Sequence, residues 1–565
     1  MRPYLLLFSL LAPAALWAQP RVTGLQNNYS YLLPNTPNYG IAQGAIIVIY
    51  GQNLAAPGVN SQGFNPTLAR TLGGTTIRVR SGATTAEALP YYVSPTQIAA
   101  ILPSSLPVGA ANLTVTYNGA TSPDFPFTIV QSAFGILTMG GNGLGNAAVF
   151  DTDYNFITPI RPARPGQTLI FWGTGQGPDP NDETRLIANP QNLTALPFEF
   201  YIANKPARVV YHGRSTYPGL DQIIVEVPPG ISGCYASAYA KTGNLISNFV
   251  SLPVAENGGA CADWFSNASE VQSQLGTGKT ELNMSWLYLS KFKTYTPAIG
   301  PTPASLVTQD AATAQFTRYT PFDASNWGSV GGFSNPGCIV TVFNGASPFS
   351  APKLLDLEAG EPVTLTLPEG AKRNLIRQGV SNHSLTASDA VPGQNQGLFI
   401  QSFGGQFRFR APGASSSAFP DRALGPIDAT ITVNDFLIWN EQTTIRTVPR
   451  NQPLTLTWKG TNQPILRGGF IIIQGGSFNL NAAGTGPAAY TAFGCTVPSE
   501  AGTFTVPRDI LASMLPSATF PFSPTTPTGT LLVQYMTLPA RFTATGLDHG
   551  SITWQSYSAT SVHYQ

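Results

Sequence analysis

Short apolar segments recur along the chain, separated by clusters of glycine, proline, asparagine and serine. Within several segments polar and apolar positions alternate, as they do in strands with one solvated face. Asn118 and Gly119 follow one segment and form a dipeptide typical of tight hairpin turns. This pattern predicts an all-β protein. The predicted strands in the first part of the chain are Ala45–Tyr50, Thr75–Val79, Gln97–Leu102, Leu113–Tyr117 and Phe125–Val130.

Two stretches of the first half match each other at a nearly fixed offset. Residues 44–51 read GAIIVIYG and residues 166–173 read GQTLIFWG. The offset drifts only from 122 to 125 residues along the match, which indicates a domain-sized duplication. About seven strands in ~110 residues is the size of an immunoglobulin-like sandwich. The aligned pairs are Gly44 with Gly166, Gly51 with Gly173, Gln97 with Gln222, and Ser122 with Ser247.

The repeated residues have a structural interpretation. Gly51 and Gly173 each end an apolar strand, where a bend or a positive φ would favour glycine. Gln97 and Gln222 precede alternating apolar residues, so we expect them to cap or cross-link an edge strand. Neither feature calls for a ligand.

The chain divides by these patterns into five parts. Residues 1–18 are predicted to be a signal peptide, residues 19–130 and 131–256 two sandwiches, residues 257–300 a joint, and residues 301–565 one or two further sandwiches. A length of 565 residues exceeds what a single core supports. One short helix is predicted at Pro507–Leu515. The alternating tail after Phe542 predicts a closing hairpin or edge pair.

The charge composition limits the classes of binding partner that the sequence supports. Only 10% of the residues are charged, against about a quarter in an ordinary soluble domain, and the net charge is +1 without any basic run. Binding to nucleic acid or to an anionic membrane surface through charge therefore has no support. No run after the N-terminus reaches the length of a transmembrane helix.

The N-terminus indicates export. Met1-Arg2 forms a short positive region, and the apolar stretch Tyr4–Leu16 has the length of a signal-peptide core. Cleavage is predicted after Ala18. No cysteine lies near that point, which argues against a lipid anchor. We expect a secreted protein in the extracellular space, either free or associated with the cell surface.

Four cysteines in an exported chain predict two disulfides with three possible connectivities. Pairing of sequence neighbours, Cys234 with Cys261 and Cys338 with Cys495, is the simplest. Free buried thiols are the alternative. A zinc site is disfavoured because no two cysteines have C-x-x-C spacing and no histidine lies close to any of them.

Several short motifs resemble functional ones and are better explained as turns. Residues 276–280, GTGKT, lack the first glycine of a phosphate-binding loop. Asp151, Asp153 and Asn155 have the spacing of calcium ligands, but the glycine and glutamate that complete such a loop are missing, which favours an Asx turn. A second acidic loop is predicted to be a solvated turn; it contains Asp179, Asp182 and Glu183.

No catalytic, metal-binding or cofactor-binding residue is predicted. The four histidines, His212, His383, His549 and His563, belong to no metal-binding or nucleophile motif. A glycosidase with two distant carboxylates has no positive support.

The succession G-x-x-[IL]-x-[IF]-[YW]-G, then Q-I, then P and G resembles the TIG-like repeats of large exported proteins from soil bacteria of the acidobacterial type. GGNGLGNAAVFDTDYN (140–155) leading into RPARPGQTLIFWGTGQGP (161–178) adds to the likeness, which covers residues 25–256. The segments GCIVTVF and FGCTVPSEAGTFTVP resemble modules that accompany such repeats. The resemblance implies an Ig-like fold and export, and it transfers no activity.

The leading hypothesis is a secreted, non-catalytic structural or interaction protein whose partner is an extracellular protein or glycan. The alternative is a carbohydrate-binding protein that uses aromatic residues of the second half. Three or more coplanar, solvent-facing rings favour this alternative, whereas buried rings favour a display scaffold. An extracellular hydrolase is the remote alternative. The second-half tryptophans are Trp264, Trp286, Trp327, Trp439, Trp458 and Trp554.

Overall fold

The protein is described by a computed structural model, and strands make up most of the described residues. The predicted all-β class is confirmed. The structure describes residues 19–63, 67–179, 183–262, 278–298, 303–319, 336–343, 354–379, 381–389, 397–480, 487–520 and 523–565. The predicted signal peptide, Trp264 and Trp327 lie outside these residues.

The first sandwich is built from ten strands. One sheet joins β1, β3, β7 and β6, and the other joins β6, β5, β8, β10 and β2, so that β6 changes sheet partway along its length. Apolar side chains of both sheets form a closed core. The strands are β1 (Arg21–Asn27), β2 (Ile41–Ala42), β3 (Ile46–Gln52), β4 (Asn60–Ser61), β5 (Thr75–Ser81), β6 (Thr84–Val93), β7 (Gln97–Ile101), β8 (Gly109–Tyr117), β9 (Ala120–Thr121) and β10 (Phe125–Val130).

The second sandwich has nine strands and its own core. Its strand β15 changes sheet as β6 does, pairing first with β14 and then with β16. The strands are β11 (Gly135–Ile136), β12 (Val149–Phe150), β13 (Thr168–Thr174), β14 (Phe198–Ile202), β15 (Lys205–Arg214), β16 (Asp221–Glu226), β17 (Gly233–Thr242), β18 (Leu245–Ile246) and β19 (Val250–Val254).

Equivalent strands of the two sandwiches are paired in the same register. Gln97 lies opposite Tyr50, and Gln222 lies opposite Trp172, which is 122 residues after Tyr50. Both glutamines lie on inner strands, since β7 is between β3 and β6 and β16 is between β13 and β15. The expectation that they cap an edge strand is therefore wrong.

The C-terminal region contains a twelve-stranded sheet, a four-stranded sheet and a three-stranded sheet around a third core. Its strands are β20 (Leu282–Thr296), β21 (Ser305–Tyr319), β22 (Gly337–Phe343), β23 (Leu354–Asp356), β24 (Thr364–Thr366), β25 (Lys372–Asn374), β26 (Ile376–Gln378), β27 (Asn382–Ser388), β28 (Gly405–Ala411), β29 (Ile427–Val433), β30 (Leu437–Trp439), β31 (Thr447–Val448), β32 (Leu454–Gly460), β33 (Gly469–Leu480), β34 (Pro487–Pro498), β35 (Thr503–Val506), β36 (Thr519–Phe520), β37 (Ser523–Pro527), β38 (Gly529–Thr537), β39 (Ala540–Phe542) and β40 (His549–Tyr564).

The last strand has a central place in this region. β40 pairs in parallel with β20 and antiparallel with β38, in the middle of the large sheet. The predicted hairpin is present, because the start of β40 pairs antiparallel with β39 across a short turn, but the predicted edge pair is wrong, because β40 lies inside the large sheet. The predicted helix is present as α1 (Arg508–Ala512), and a 3-10 turn spans Ser499–Ala501.

The third core extends into the second sandwich. Tyr239, Ile246 and Phe249 pack among its buried residues, and the backbone N–H of Ser237 donates to the carbonyl of Pro336 at 3.1 Å. Among the described residues no helix is long and apolar enough to cross a membrane.

Candidate functional site

The repeated glycines are required by backbone geometry. Gly44 and Gly166 have φ values of 68° and 79°, in the left-handed region that favours glycine. Of the bend or positive φ expected at Gly51 and Gly173, the positive φ is not found at either position. A Cβ at Gly51 would lie 2.2 Å from the carbonyl oxygen of Arg21, and one at Gly173 would lie 2.1 Å from the ring of Phe134. Close packing, rather than φ, excludes a side chain at these two positions.

A serine turn is present in both sandwiches with the same bonds. The hydroxyl of Ser122 accepts a hydrogen bond from the backbone N–H of Val115 at 3.0 Å, and the Ser247 hydroxyl accepts one from Ala240 at 2.9 Å. In return, each serine N–H donates to the carbonyl of the same partner residue, at 2.8 and 2.9 Å. Both serines are buried, so these bonds satisfy backbone groups at the end of a strand.

The predicted disulfide pairing is confirmed. Cys234 is bonded to Cys261 with the Cα atoms 5.2 Å apart, and Cys338 to Cys495 with the Cα atoms 4.1 Å apart. All four cysteines are buried. Two disulfides are compatible with an extracellular protein.

The junction of the two sandwiches is built around a buried arginine. Arg214, at the end of β15, is 1% exposed. Its guanidinium donates to Asp221 at 2.6 Å and to the carbonyl of Gly177 at 2.5 Å, and it lies 3.5 Å from a carboxylate oxygen of Asp179. The predicted solvated acidic turn is wrong for Asp179, because the side chain is buried against Arg214; Asp182 lies outside the described residues.

The acidic loop also reaches the first sandwich. The Glu183 carboxylate accepts a hydrogen bond from the backbone N–H of Ser104 at 2.7 Å, and the Ser104 hydroxyl accepts one from the N–H of Asp179 at 3.0 Å. Arg214 therefore lies at the centre of a charge cluster that joins both sandwiches.

Neutral hydrogen bonds cross the same junction. The hydroxyl of Thr174 accepts from the N–H of Ile46 at 2.7 Å and donates to the carbonyl of Gly219 at 2.5 Å. The Asn27 amide donates to the carbonyls of Ala133 and Thr174. Since both donors and acceptors are buried, bending at this junction would break bonds without replacement by water.

Burial raises the pKa values of two acids near Arg214. Burial raises the pKa of Asp221 to about 6, although Arg214 opposes the shift, and burial also raises the pKa of Glu183. Paired acids with raised pKa values would indicate a candidate active site if they faced a common cleft. Glu183 lines a surface groove from which Asp221 is absent, and Asp221 is fully buried. The arrangement is that of a structural ion cluster.

A histidine and a carboxylate meet in the C-terminal region. The His383 Nε2 atom lies 2.7 Å from Glu361, whose carboxylate also accepts from Arg377 at 2.7 Å. Burial acts against ionisation of Glu361, but hydrogen bonds from Arg377 and His383 outweigh it and lower its pKa. His212 lies elsewhere, 3.1 Å from Gln176, so the structure does not bring these two histidines together.

The loop with calcium-like spacing forms an Asx turn. Asp151 accepts hydrogen bonds from the backbone N–H groups of Asp153 and Asn155 at 3.0 and 2.8 Å, and Arg161 donates to it at 2.9 Å. The bond from Asn155 is the main cause of the lowered pKa of Asp151. Among the described residues no group of three histidine, cysteine or acidic side chains could hold a metal ion. In the GTGKT segment, Lys279 forms an ion pair with Asp548, while residues 276 and 277 lie outside the described chain.

Three second-half tryptophans belong to the core. Trp439 and Trp458 are 3% exposed, and Trp554 is fully buried. The indole N–H of Trp458 donates to the carbonyl of Ser499 at 2.9 Å, so the ring is fixed inside the region. Trp286 is half-buried on β20. The buried rings favour the scaffold over the predicted aromatic platform in this half.

No protein-family model matches the chain, and no curated protein matches it. Among solved structures, the chain is similar to a protein of unknown function from Bacteroides thetaiotaomicron at 9% identity, covering 54% of this chain and 57% of that one, with a TM-score of 0.14. It therefore spans under two thirds of that protein's length.

Two other solved structures show similar values. A protein titled SGBP-B, of a mixed-linkage glucan utilization locus of Bacteroides ovatus and in complex with a heptasaccharide, is 11% identical over 87% of this chain and 93% of that one, with a TM-score of 0.14. Three fibronectin-type domains of chicken CNTN1 are 9% identical over 71% and 96%, also at 0.14. At such values the likeness carries no inference about function.

Proposed function

We propose that the protein is an extracellular, non-catalytic interaction protein, in which the two sandwiches form a stiff arm that holds binding loops in a fixed arrangement. The observation that carries this proposal is the junction centred on Arg214. The hydrogen bonds that cross this junction, such as those from Ile46 to Thr174 and from Ser104 to Glu183, favour one relative orientation, because any other would leave buried polar groups without partners.

Export and membership of a TIG-like family are parts of the proposal. The apolar N-terminal stretch and the two disulfides support export. The repeated glycines and serines support the TIG-like resemblance, since each serves the same backbone function in both sandwiches.

Two measurements on the full chain test the proposal. Expressed in a bacterial host with its N-terminal residues, the protein should lose residues 1–18 and be recovered outside the cytoplasm with both disulfides formed. The purified protein should turn over no substrate in panels of polysaccharides, esters and peptides. Retention in the cytoplasm would contradict export. Turnover that a single acid-to-amide or histidine-to-alanine change abolishes would contradict the non-catalytic role.

A further inference from the structure

A lysine and an aspartate lie opposite each other on the core face of the twelve-stranded sheet. Lys291 of β20 is paired with Asp310 of β21. Because side chains alternate along a strand, Lys291 lies on the same face as Leu289, which is fully buried opposite the fully buried Ala312. The Asp310 side chain is fully buried, and that of Lys291 is 9% exposed. An ion pair, called the core pair below, therefore occupies positions on a face that apolar side chains otherwise fill.

Burial makes the core pair a poor stabiliser while it remains ionic. The free-energy cost of withdrawing an ammonium and a carboxylate from water often exceeds what their mutual attraction returns. Apolar side chains of similar volume often stabilise a core equally well or better. An amide carries no net charge, so a covalent bond between the two groups removes this cost and keeps the strands joined.

We infer that the Lys291 amine and the Asp310 carboxyl condense into an isopeptide bond that links β20 to β21. The Nζ atom of Lys291 lies 2.6 Å from Oδ1 of Asp310. A proton passes along this hydrogen bond, which leaves an amine and a carboxylic acid. The Nζ lone pair then attacks Cγ, so that the Nζ–Cγ bond forms and the Cγ–Oδ1 bond breaks. Oδ1 leaves as water with two protons of the former ammonium, and the step needs no oxidant, reductant or further reactant.

The other carboxylate oxygen of Asp310 is held by a backbone group. The N–H of Ile400 donates to Oδ2 at 2.7 Å. When Nζ adds to Cγ, negative charge develops on Oδ2, and an N–H already directed at that oxygen stabilises the charge. The two hydrogen bonds thus assign different roles to the two oxygens: Oδ1 leaves, and Oδ2 becomes the carbonyl oxygen of the new amide.

The other pairs between a lysine and a carboxylate differ from the core pair in the described part of the chain. Lys241 is 23% exposed, and its nearest carboxylate oxygen, in Asp509, is 3.5 Å away. Lys279 pairs closely with Asp548, but its side chain is 49% exposed. Water solvates and separates exposed charges, so neither pair is held in the dry contact that condensation requires.

The bond would join two inner strands of the sheet. β20 also pairs with β40, and β21 also pairs with β27. A covalent link between β20 and β21 keeps these strands in register even when the hydrogen bonds between them open. The inference adds a modification to the chain and does not depend on the proposed function.

Mass spectrometry of the intact full chain under denaturing conditions tests the inference. With both disulfides and any removed N-terminal residues taken into account, we expect a mass lower than the calculated one by one water molecule. Trypsin should fail to cleave after Lys291. The digest should instead contain a branched peptide that joins residues 280–293 to residues 294–318.

Two variants identify the amine that reacts. Lys291→Arg keeps the positive charge but lacks a nucleophilic amine, so this variant should have the full calculated mass. The matched control is Lys293→Arg, the same substitution two residues further along the same face of β20, which should retain the loss of water. If Lys291→Arg does not fold, the branched peptide of the unsubstituted protein decides the question alone.

Three outcomes overturn the inference. The first is a full calculated mass with normal cleavage after Lys291, which would leave the core pair as an ion pair. The second is a loss of water that Lys291→Arg retains, and the third is a loss that maps to other residues. None of these outcomes bears on the proposed function, which export and the absence of turnover test separately.

Discussion

The two sandwiches of the first half have the same frame and different loops. Equivalent strands pair in the same register, and Ser122 and Ser247 form the same pair of hydrogen bonds with the preceding strand. The second sandwich has a disulfide, and among the described residues of the two sandwiches only its loops carry highly exposed aromatic rings, such as those of Tyr154 and Phe156. The comparison teaches that the repeated positions are those that the backbone constrains. Differences accumulate in loops, where a binding site can change without cost to the core.

The largest expected effect is at the junction between the sandwiches. Arg214→Met leaves Asp221 buried without its partner, so we expect a loss of about 3–5 kcal/mol in the free energy of unfolding. Calorimetry of the full chain should show lower transitions for both sandwiches if they unfold as one unit. Arg208→Met, which breaks an exposed pair with Glu226, is the control and should cost under about 1 kcal/mol. Equal effects of the two variants would contradict a buried ion cluster centred on Arg214.

Removal of the disulfide of the second sandwich should destabilise that sandwich and not the first. Cys234→Ala/Cys261→Ala opens a loop of 27 residues, which the chain-entropy model values at about 3.5 kcal/mol. We expect a lower unfolding transition for the second sandwich, measured by hydrogen exchange along the chain. The control is Cys338→Ala/Cys495→Ala, whose effect should fall in the C-terminal region. Equal loss of protection in the first sandwich would contradict separate cores.

The smallest effect tests the duplication itself. Ser122→Ala and Ser247→Ala each leave buried backbone groups with one fewer partner, at a cost of about 1–2 kcal/mol. Because the bonds are the same, the two losses should agree within about 0.5 kcal/mol. Chemical denaturation measures both, with the exposed Thr121→Ala as the reference. Widely different losses would mean that the two turns do not have equivalent roles.

Local constraints explain what the sequence predicted correctly. The repeated glycines and the two cysteine pairs can be recognised directly in the sequence, although the positive φ occurs at Gly44 and Gly166 and not at Gly51 or Gly173. The contact of Arg214 with Asp179 could not be predicted in this way, because the residues around each of them do not indicate which distant segment contains its partner. The exposure of Tyr154 and Phe156 also depended on tertiary structure, although aromatic residues in a predicted turn were the available signal.

The position of the C-terminal tail in the sheet could not be predicted from its sequence pattern. Ser556 and Ser558 on β40 are 1% exposed, so small polar residues there are buried within a large sheet. An alternating pattern with polar residues predicts a solvated face, as edge strands and hairpins have. Strand order within a sheet is set by long-range pairing, and alternation alone does not determine which strand becomes central.

The position of β40 has a consequence for the order in which the protein is assembled. The backbone N–H of Asn283, in β20, donates to the carboxylate of Asp548 across a separation of 265 residues, and the two strands then run side by side. β20 is synthesised well before β40, and the sheet cannot close until β40 has been synthesised. Contacts of such long range slow folding and leave strand edges open to aggregation meanwhile. Each of the two sandwiches can close its own core from residues of the first half, whereas the large C-terminal sheet closes only once β40 has been synthesised.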